Sequence, residues 1–135
     1  MNETKWKYLV RSAVRGKNVM MTGNSGSGKT LASKTLAEVL DRPFYYFNLG
    51  ATQDPRSALI GNTHFDKNKG TFFAESAFVK AIKTPNAVIL LDELSRAHPD
   101  AWNILMTVLD GGQRYLRLDE AEGSPIVKVA EGVTF

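Results

Sequence analysis

The chain has 135 residues, of which 43% are hydrophobic and 23% charged, and this is the size and composition of a single globular domain. Its 17 Lys and Arg against 14 Asp and Glu leave a formal charge of +3, too small to indicate a nucleic acid or an anionic membrane as partner. Without cysteine it has no disulfides, no thiolate metal site and no cysteine nucleophile. Its longest apolar run, residues 87–91, is far shorter than the roughly 20 residues of a membrane helix. We therefore expect a soluble, cytoplasmic protein with no membrane partner.

Apolar residues at helical spacing predict four helices. The first covers residues 6–14 and ends at Gly16, and the second runs from Lys29 to residue 40, before Asp41-Arg42-Pro43. A third helix follows Gly70 on Ala74, Phe78, Ala81 and Ile82 and ends before Pro85. The fourth opens at Pro99 and closes at Gly111-Gly112.

Strands are predicted between these helices. Residues 18–22 read as a short buried strand, and residues 44–49 as an aromatic strand whose residues 44–47 belong to the core. The continuous apolar run 87–91 suits a strand covered on both faces, as in a parallel sheet. Residues 114–129 resemble a β-hairpin with a polar tip, and residues 133–135 open another strand. Strands that alternate with helices predict an α/β fold.

The polar segment 53–70 lacks a sustained period. We therefore predict a long loop there, with at most a short helix at residues 56–60. Loops of this length usually carry function or move.

A glycine-rich turn after the first predicted strand fits the pattern GxxxxGK[ST] and opens the second helix. It consists of Gly23, Asn24, Ser25, Gly26, Ser27, Gly28, Lys29 and Thr30. Glycines let successive backbone N–H groups converge on phosphate, and the helix N-terminus adds positive potential. In this pattern Lys29 bridges the β- and γ-phosphates and the Thr30 hydroxyl holds Mg²⁺. The turn therefore predicts binding of ATP with Mg²⁺.

Two carboxylates, Asp92 and Glu93, follow the apolar strand 88–91. A parallel strand delivers its C-terminal residues to the edge of the sheet where ligands bind. There Asp92 would reach Mg²⁺, usually through water, and Glu93 would polarise the water that attacks the γ-phosphate. Glu93 and Lys29 are the predicted catalytic residues. Because a kinase gains nothing from activating water, Glu93 favours hydrolysis.

These motifs resemble those of AAA+ ATPases of the MoxR and dynein-related branch. The resemblance rests on the glycine loop and on Asp92-Glu93-Leu94-Ser95-Arg96-Ala97-His98-Pro99, followed by a helix that ends in Leu109-Asp110-Gly111-Gly112. The second motif typically runs DEINRAPP in that branch, so Ser95 and His98 depart from it. The resemblance covers the chain from about residue 4 to residue 135.

The resemblance implies a P-loop NTPase fold of three αβα layers with strand order 5-1-4-3-2. It further implies a ring, typically a hexamer, that binds ATP between subunits and remodels a partner, either protein or DNA. The hairpin at 114–129 is similar to an insertion of this branch, and segment 53–70 lies where another insertion often occurs. Both insertions commonly face the ring pore.

In this family the strand near Val133 ends in a polar sensor residue, and a trans-acting arginine, a second sensor and a helical lid follow it. The resemblance therefore implies that residues 1–135 are a partial AAA+ nucleotide-binding core from a longer protein. A trans-acting arginine is worth about 10³ to 10⁵ in rate in GTPases. We expect residues 1–135 alone to hydrolyse ATP negligibly.

Two other functions remain open, a small P-loop kinase and a nucleotide-binding module without turnover. Surface or capping roles suit His64 and His98 better than a metal site. Arg96 fits a structural or intersubunit ion pair better than a catalytic role. Arg114 and Arg117 read as the exposed side of the hairpin, with contact to a threaded substrate as the alternative. The sequence does not identify the remodelled partner.

Overall fold

The computed structural model describes residues 3–22, 28–50, 54–68, 70–118, 121, 123 and 125–135. The helices in these ranges are α1 (Glu3–Val14), α2 (Lys29–Val39), α3 (Pro55–Leu59), α4 (Ala77–Ile82) and α5 (Pro99–Leu109), with a 3₁₀ turn at Leu94–Arg96. The strands are β1 (Phe44–Asn48), β2 (Gly61–Asp66), β3 (Gly70–Glu75), β4 (Val88–Asp92), β5 (Tyr115–Arg117) and β6 (Ile126–Lys128). None of the described helices combines the length and apolar character that a bilayer span requires.

Strands β1 and β4 pair as parallel strands, in register from Phe44 opposite Val88 to Asn48 opposite Asp92. On the other side of β4, Thr134 makes a parallel bridge to Val88. The N–H of Val19 in turn donates to the Phe135 carbonyl at 2.9 Å. Segment 133–135, β4 and β1 therefore lie side by side in this order, with segment 18–22 next to segment 133–135, and the predicted α/β fold with a parallel sheet is confirmed.

Helices cover both faces of this sheet. Because consecutive residues of β4 face opposite sides, neighbouring residues of this strand contact different helices. Val88 packs with α1 and α2, whereas Ile89 packs with α3, α4 and α5. The first cluster consists of Leu9, Ala13, Ala32, Leu36, Ala37 and Val88. The second includes Leu49, Leu59, Phe78, Ile82, Ile89, Leu105, Leu116 and Val133. The prediction of a strand buried on both faces is correct.

Helix α1 ends where the sequence predicts, at Gly16. Gly16 has a left-handed φ of 66°. Its N–H donates to the Ala13 carbonyl at 3.0 Å, and the N–H of Lys17 donates to the Ser12 carbonyl at 2.9 Å. This pair of bonds satisfies carbonyls that would otherwise lack partners at the helix end, and the left-handed turn suits glycine, which has no Cβ.

The predicted buried strand at residues 18–22 is wrong. Residues 17–22 form neither helix nor strand. Among the described residues, segment 18–22 makes one backbone hydrogen bond to segment 133–135, through Val19, and Met20 is 79% exposed. Asn18 instead uses its side chain, donating to the Leu109 carbonyl at 2.8 Å. A strand needs a run of backbone pairs, and one hydrogen bond does not make a ladder.

The segment predicted as a long loop, 53–70, contains α3 and most of a β-hairpin. Strands β2 and β3 pair antiparallel from Gly61 opposite Glu75 to Asp66 opposite Gly70. Ala74 therefore belongs to β3, and α4 begins only after Ser76, whose Oγ accepts from the Val79 N–H at 3.1 Å. The hairpin escaped prediction because β2 is largely exposed, so its sequence lacks apolar alternation.

The hairpin predicted at residues 114–129 is confirmed by the antiparallel pairing of β5 with β6. The expectation that Arg114 lies on its exposed side is wrong. Its guanidinium donates to the Val133 carbonyl at 2.6 Å and to Asn18 Oδ1 at 2.9 Å, and lies over the Phe135 ring. Burial lowers the pKa of Arg114. Arg114 precedes β5 with a left-handed φ of 53°, so the alternation of the strand does not govern its side chain.

Candidate functional site

The N-terminus of α2 presents backbone donors and positive charge. Gly28, its N-cap residue, has a left-handed φ of 87° and makes no side-chain capping bond, and Lys29 and Thr30 form the first turn. That turn contains no acidic residue. The backbone N–H groups and the dipole of a helix N-terminus favour an anion, so this end of α2 fits a phosphate.

The glycine loop itself is only partly described. Its predicted residues Gly23, Asn24, Ser25, Gly26 and Ser27 lie outside the described residues. Their role in phosphate binding therefore stays a prediction. Gly28, Lys29 and Thr30 are described and stand at the start of α2, as predicted.

Asp92 and Glu93 stand at the C-terminal end of β4, as predicted. The Asp92 carboxylate has a partner on each oxygen. Oδ1 accepts from the backbone N–H of Glu93 at 2.9 Å, and Oδ2 accepts from the Tyr46 hydroxyl at 2.7 Å. That bond raises the pKa of the Tyr46 phenol, with smaller contributions from burial and the Asp92 and Glu93 charges. Tyr46 therefore stays protonated and donates to Asp92.

Glu93 adopts a backbone conformation that is rare for a residue with a side chain. Its φ of 57° and ψ of 38° are left-handed, at a cost of roughly 1 to 2 kcal/mol. Such strain concentrates at functional sites. The conformation ends β4 abruptly and starts the turn Leu94–Arg96, which leaves the Glu93 side chain 41% exposed. Solvent water can therefore reach its carboxylate.

Arg96 pairs with the predicted general base. Its Nη1 lies 3.8 Å from Glu93 Oε2, and its side chain is 79% exposed. The sequence favours an ion pair for Arg96, and within the chain its partner is Glu93. Exposed pairs of this kind contribute about 0 to 1 kcal/mol. Arg96 therefore restrains Glu93 only weakly.

Gly50, just beyond β1, packs directly under Glu93. A Cβ at Gly50 would lie 2.9 Å from both Cβ and Oε2 of Glu93 and 3.4 Å from the Cβ of Arg96. Real Cβ atoms do not approach other atoms this closely, and the Cβ of Glu93 cannot rotate away. The absence of a side chain at residue 50 thus leaves room for Glu93 in this position. Sequence analysis missed Gly50, because nothing local in Leu49-Gly50-Ala51 indicates a contact with residue 93.

We predict that Gly50→Ala slows ATP hydrolysis while leaving nucleotide affinity within about twofold. The added Cβ would displace Glu93, and misplacing a catalytic group by about 1 Å costs on the order of a hundredfold in rate. Steady-state phosphate release and ATP calorimetry on the full-length protein measure the two effects. Gly111→Ala is the control, since no atom lies within 4 Å of a Cβ there. Unchanged hydrolysis in Gly50→Ala would contradict this account of Glu93.

The residues present also fit a magnesium ion. Mg²⁺ prefers oxygen ligands and is usually held by one or two protein groups together with substrate phosphates. The Thr30 hydroxyl and the Asp92 carboxylate are oxygen ligands of this kind.

The two histidines make other contacts. His98 Nδ1 accepts from the Asp100 N–H at 3.1 Å and caps α5, and the exposed His64 lies beside Phe72. In the described ranges no group of three or more His, Cys, Asp or Glu could hold a metal.

Comparison with known proteins identifies the family. Residues 18–130 match the family described as AAA domain (dynein-related subfamily). The chain belongs to this family. The predicted resemblance to the dynein-related branch of AAA+ ATPases is thereby confirmed, and it supports nucleotide binding and ATPase-type activity in general. AAA+ ATPases generally bind ATP with Mg²⁺.

Two curated relatives are about one third identical to this AAA domain over the aligned residues. The protein named "Putative chaperone BssE" from Thauera aromatica is 34% identical over 119 residues, which are 87% of this chain and 40% of BssE. An uncharacterized protein of Staphylococcus aureus (strain USA300) is 33% identical over 98 residues, 70% of this chain and 36% of the relative. The chain therefore spans about two fifths of the length of these relatives.

Solved structures show the same fold for this AAA domain. A "putative ATPase" from Cytophaga hutchinsonii superposes with a TM-score of 0.68 at 20% identity, covering 98% of this chain and 36% of that protein. NtrX from Brucella abortus superposes with a TM-score of 0.63 at 20% identity, covering 97% of this chain and 29% of NtrX.

Proposed function

We propose that the protein binds Mg-ATP between the N-terminus of α2 and the C-terminal end of β4, and that it hydrolyses the ATP. The observation that carries the proposal is the position of Glu93. Glu93 stands beside Asp92 at the C-terminal end of β4. Its side chain is partly exposed, its backbone is left-handed, and it packs against Gly50. A water-activating residue of an ATPase requires this kind of placement.

Each residue has a distinct task in this proposal. The N–H groups at the start of α2 and the Lys29 ammonium hold the β- and γ-phosphates. Glu93 orients a water towards the γ-phosphorus and accepts its proton, while the bond from phosphorus to the β–γ bridging oxygen breaks. Thr30 and Asp92 would hold Mg²⁺, Asp92 through water. The ion, when bound, neutralises the phosphate charge that builds up in this reaction.

We further propose that the whole protein forms a homo-oligomeric ring, with six subunits as the expected number. The ring would use ATP to remodel a protein partner. The family resemblance supports the ring, and the printed name of BssE supports a protein as the partner. Remodelling of DNA is the alternative. The 135 residues would form part of the nucleotide-binding core of that assembly.

Three measurements on the full-length protein test the proposal. Calorimetry should detect binding of Mg-ATP, phosphate release should be catalytic, and sedimentation should show an ATP-dependent increase in mass. ATP binding without phosphate release would favour a binding module. Transfer of the phosphoryl group to an added nucleotide or metabolite acceptor would favour a kinase. No binding of ATP would refute the assigned site.

A further inference from the structure

Tyr46 reaches the magnesium-binding carboxylate from the neighbouring strand. Tyr46 lies opposite Leu90 in the parallel register, and Asn48 lies opposite Asp92. Since alternate residues of a strand share a face, Tyr46 and Asp92 are diagonal neighbours on one face of the sheet. A tyrosine ring is long enough to span that diagonal, and its hydroxyl lies 2.7 Å from Asp92 Oδ2.

This contact, together with one other, fixes the orientation of Asp92. Its Oδ1 is already bonded to the backbone N–H of Glu93 at 2.9 Å, so the carboxylate is held from two directions. A carboxylate has about four acceptor positions, and two of them therefore remain for waters or other donors. Hydrogen bonds that hold a ligating carboxylate in this way set its orientation towards the metal.

Among the described residues, the Tyr46 side chain belongs to no part of the buried core. The side chain is 43% exposed, and its ring is outside the two buried clusters. Tyr45, the preceding residue, differs from Tyr46 in its packing and in the partner of its hydroxyl. Its ring packs against the larger cluster, and its hydroxyl lies 3.3 Å from Thr84 Oγ1. Adjacent residues of β1 therefore offer one hydroxyl directed at Asp92 and one directed elsewhere.

We infer that Tyr46 is a positioning residue for magnesium: its hydroxyl orients the Asp92 carboxylate for the water shell of the Mg²⁺ that accompanies the nucleotide. The inference rests on the proposed function, because it assumes that Mg²⁺ and nucleotide bind at Asp92. It assigns Tyr46 no contact with the nucleotide. Its removal should therefore weaken the effect of Mg²⁺ without weakening the binding of metal-free nucleotide.

The test compares Tyr46→Phe with Tyr45→Phe, two variants that each lose one hydroxyl from β1. A fluorescent ADP derivative is titrated into each protein in EDTA, and Mg²⁺ is then titrated into the complex. For Tyr46→Phe we expect the half-saturating Mg²⁺ concentration to rise about tenfold, the typical effect of removing a partner of a metal ligand. Affinity in EDTA should stay within about twofold. Tyr45→Phe should change neither quantity.

Thermal unfolding without nucleotide separates positioning from folding. Both variants should unfold within a few degrees of the unmodified protein. An unchanged Mg²⁺ requirement in Tyr46→Phe overturns the inference. An equal loss of ADP affinity with and without Mg²⁺ also overturns it, because a merely structural residue would give that result. If the unmodified protein binds no nucleotide, the proposed function fails and the inference fails with it. If it binds ADP with no dependence on Mg²⁺, the assignment of Asp92 fails.

Discussion

Lys29→Ala is expected to reduce ATP affinity by at least about a hundredfold, beyond what calorimetry detects. Lys29 stands in the first turn of α2, directly after the left-handed Gly28, where its ammonium would place positive charge between the β- and γ-phosphates. A hydrogen bond to a charged group contributes roughly 1.5 to 3 kcal/mol, and about 1.4 kcal/mol is tenfold in affinity. Contacts to two phosphates would therefore account for the loss.

Lys34→Ala is the matched control for this prediction. Lys34 lies on the same helix and is exposed, so its removal changes net charge and helix composition equally but should leave ATP affinity unchanged. Far-ultraviolet circular dichroism should show that both variants keep their helices. Unchanged ATP affinity in a folded Lys29→Ala protein would place the phosphate site elsewhere.

Glu93→Gln is expected to abolish ATP hydrolysis in the full-length protein while Mg-ATP binding is retained. The amide cannot accept a proton from water, and general-base catalysis typically contributes about 10² to 10⁴ in rate. Glutamine has nearly the same shape, so the contact with Gly50 and the backbone bond from Glu93 N–H to Asp92 should survive. Steady-state phosphate release and calorimetry measure the two properties separately.

Glu38→Gln serves as the control, since Glu38 is an exposed residue on α2 and should tolerate the change in both assays. Loss of Mg-ATP binding in Glu93→Gln would mean that the glutamate supports the structure of the site. Hydrolysis at an undiminished rate would assign the general base to another residue and would remove the main argument against a kinase.

Local patterns were sufficient to predict most helices and the strand that carries the carboxylates. Gly16 and Pro99 mark helix boundaries through their own backbone preferences, so their effect needs no distant partner. The apolar run before Asp92 is likewise local, because a strand covered on both faces has no polar face to display. The placement of Lys29 at a helix start and of Asp92 at a strand end could therefore be predicted.

Prediction failed where a segment's structure depends on another segment. Strand β2 is mostly exposed and its residues carry no alternation, so the β2–β3 hairpin forms because residues 61–66 pair with residues 70–75. Segment 18–22 has the composition of a strand, yet within the described residues its backbone joins the sheet only through the bond from Val19 to Phe135. Arg114 looks like an exposed hairpin residue and instead joins Asn18, Val133 and Phe135.

The sequence by itself determined the chemical groups of the proposed site, namely Lys29, Thr30, Asp92 and Glu93, because their types and spacing match the needs of a phosphate and a metal. Only the tertiary structure decided which residues hold those groups. Tyr46 is 46 positions from Asp92, and Gly50 is similarly remote from Glu93 along the chain. Both contacts arise from the parallel register of β1 with β4. Parallel strands are joined through long crossovers, so their register depends on the packing of the connecting helices, which no local pattern of residues specifies.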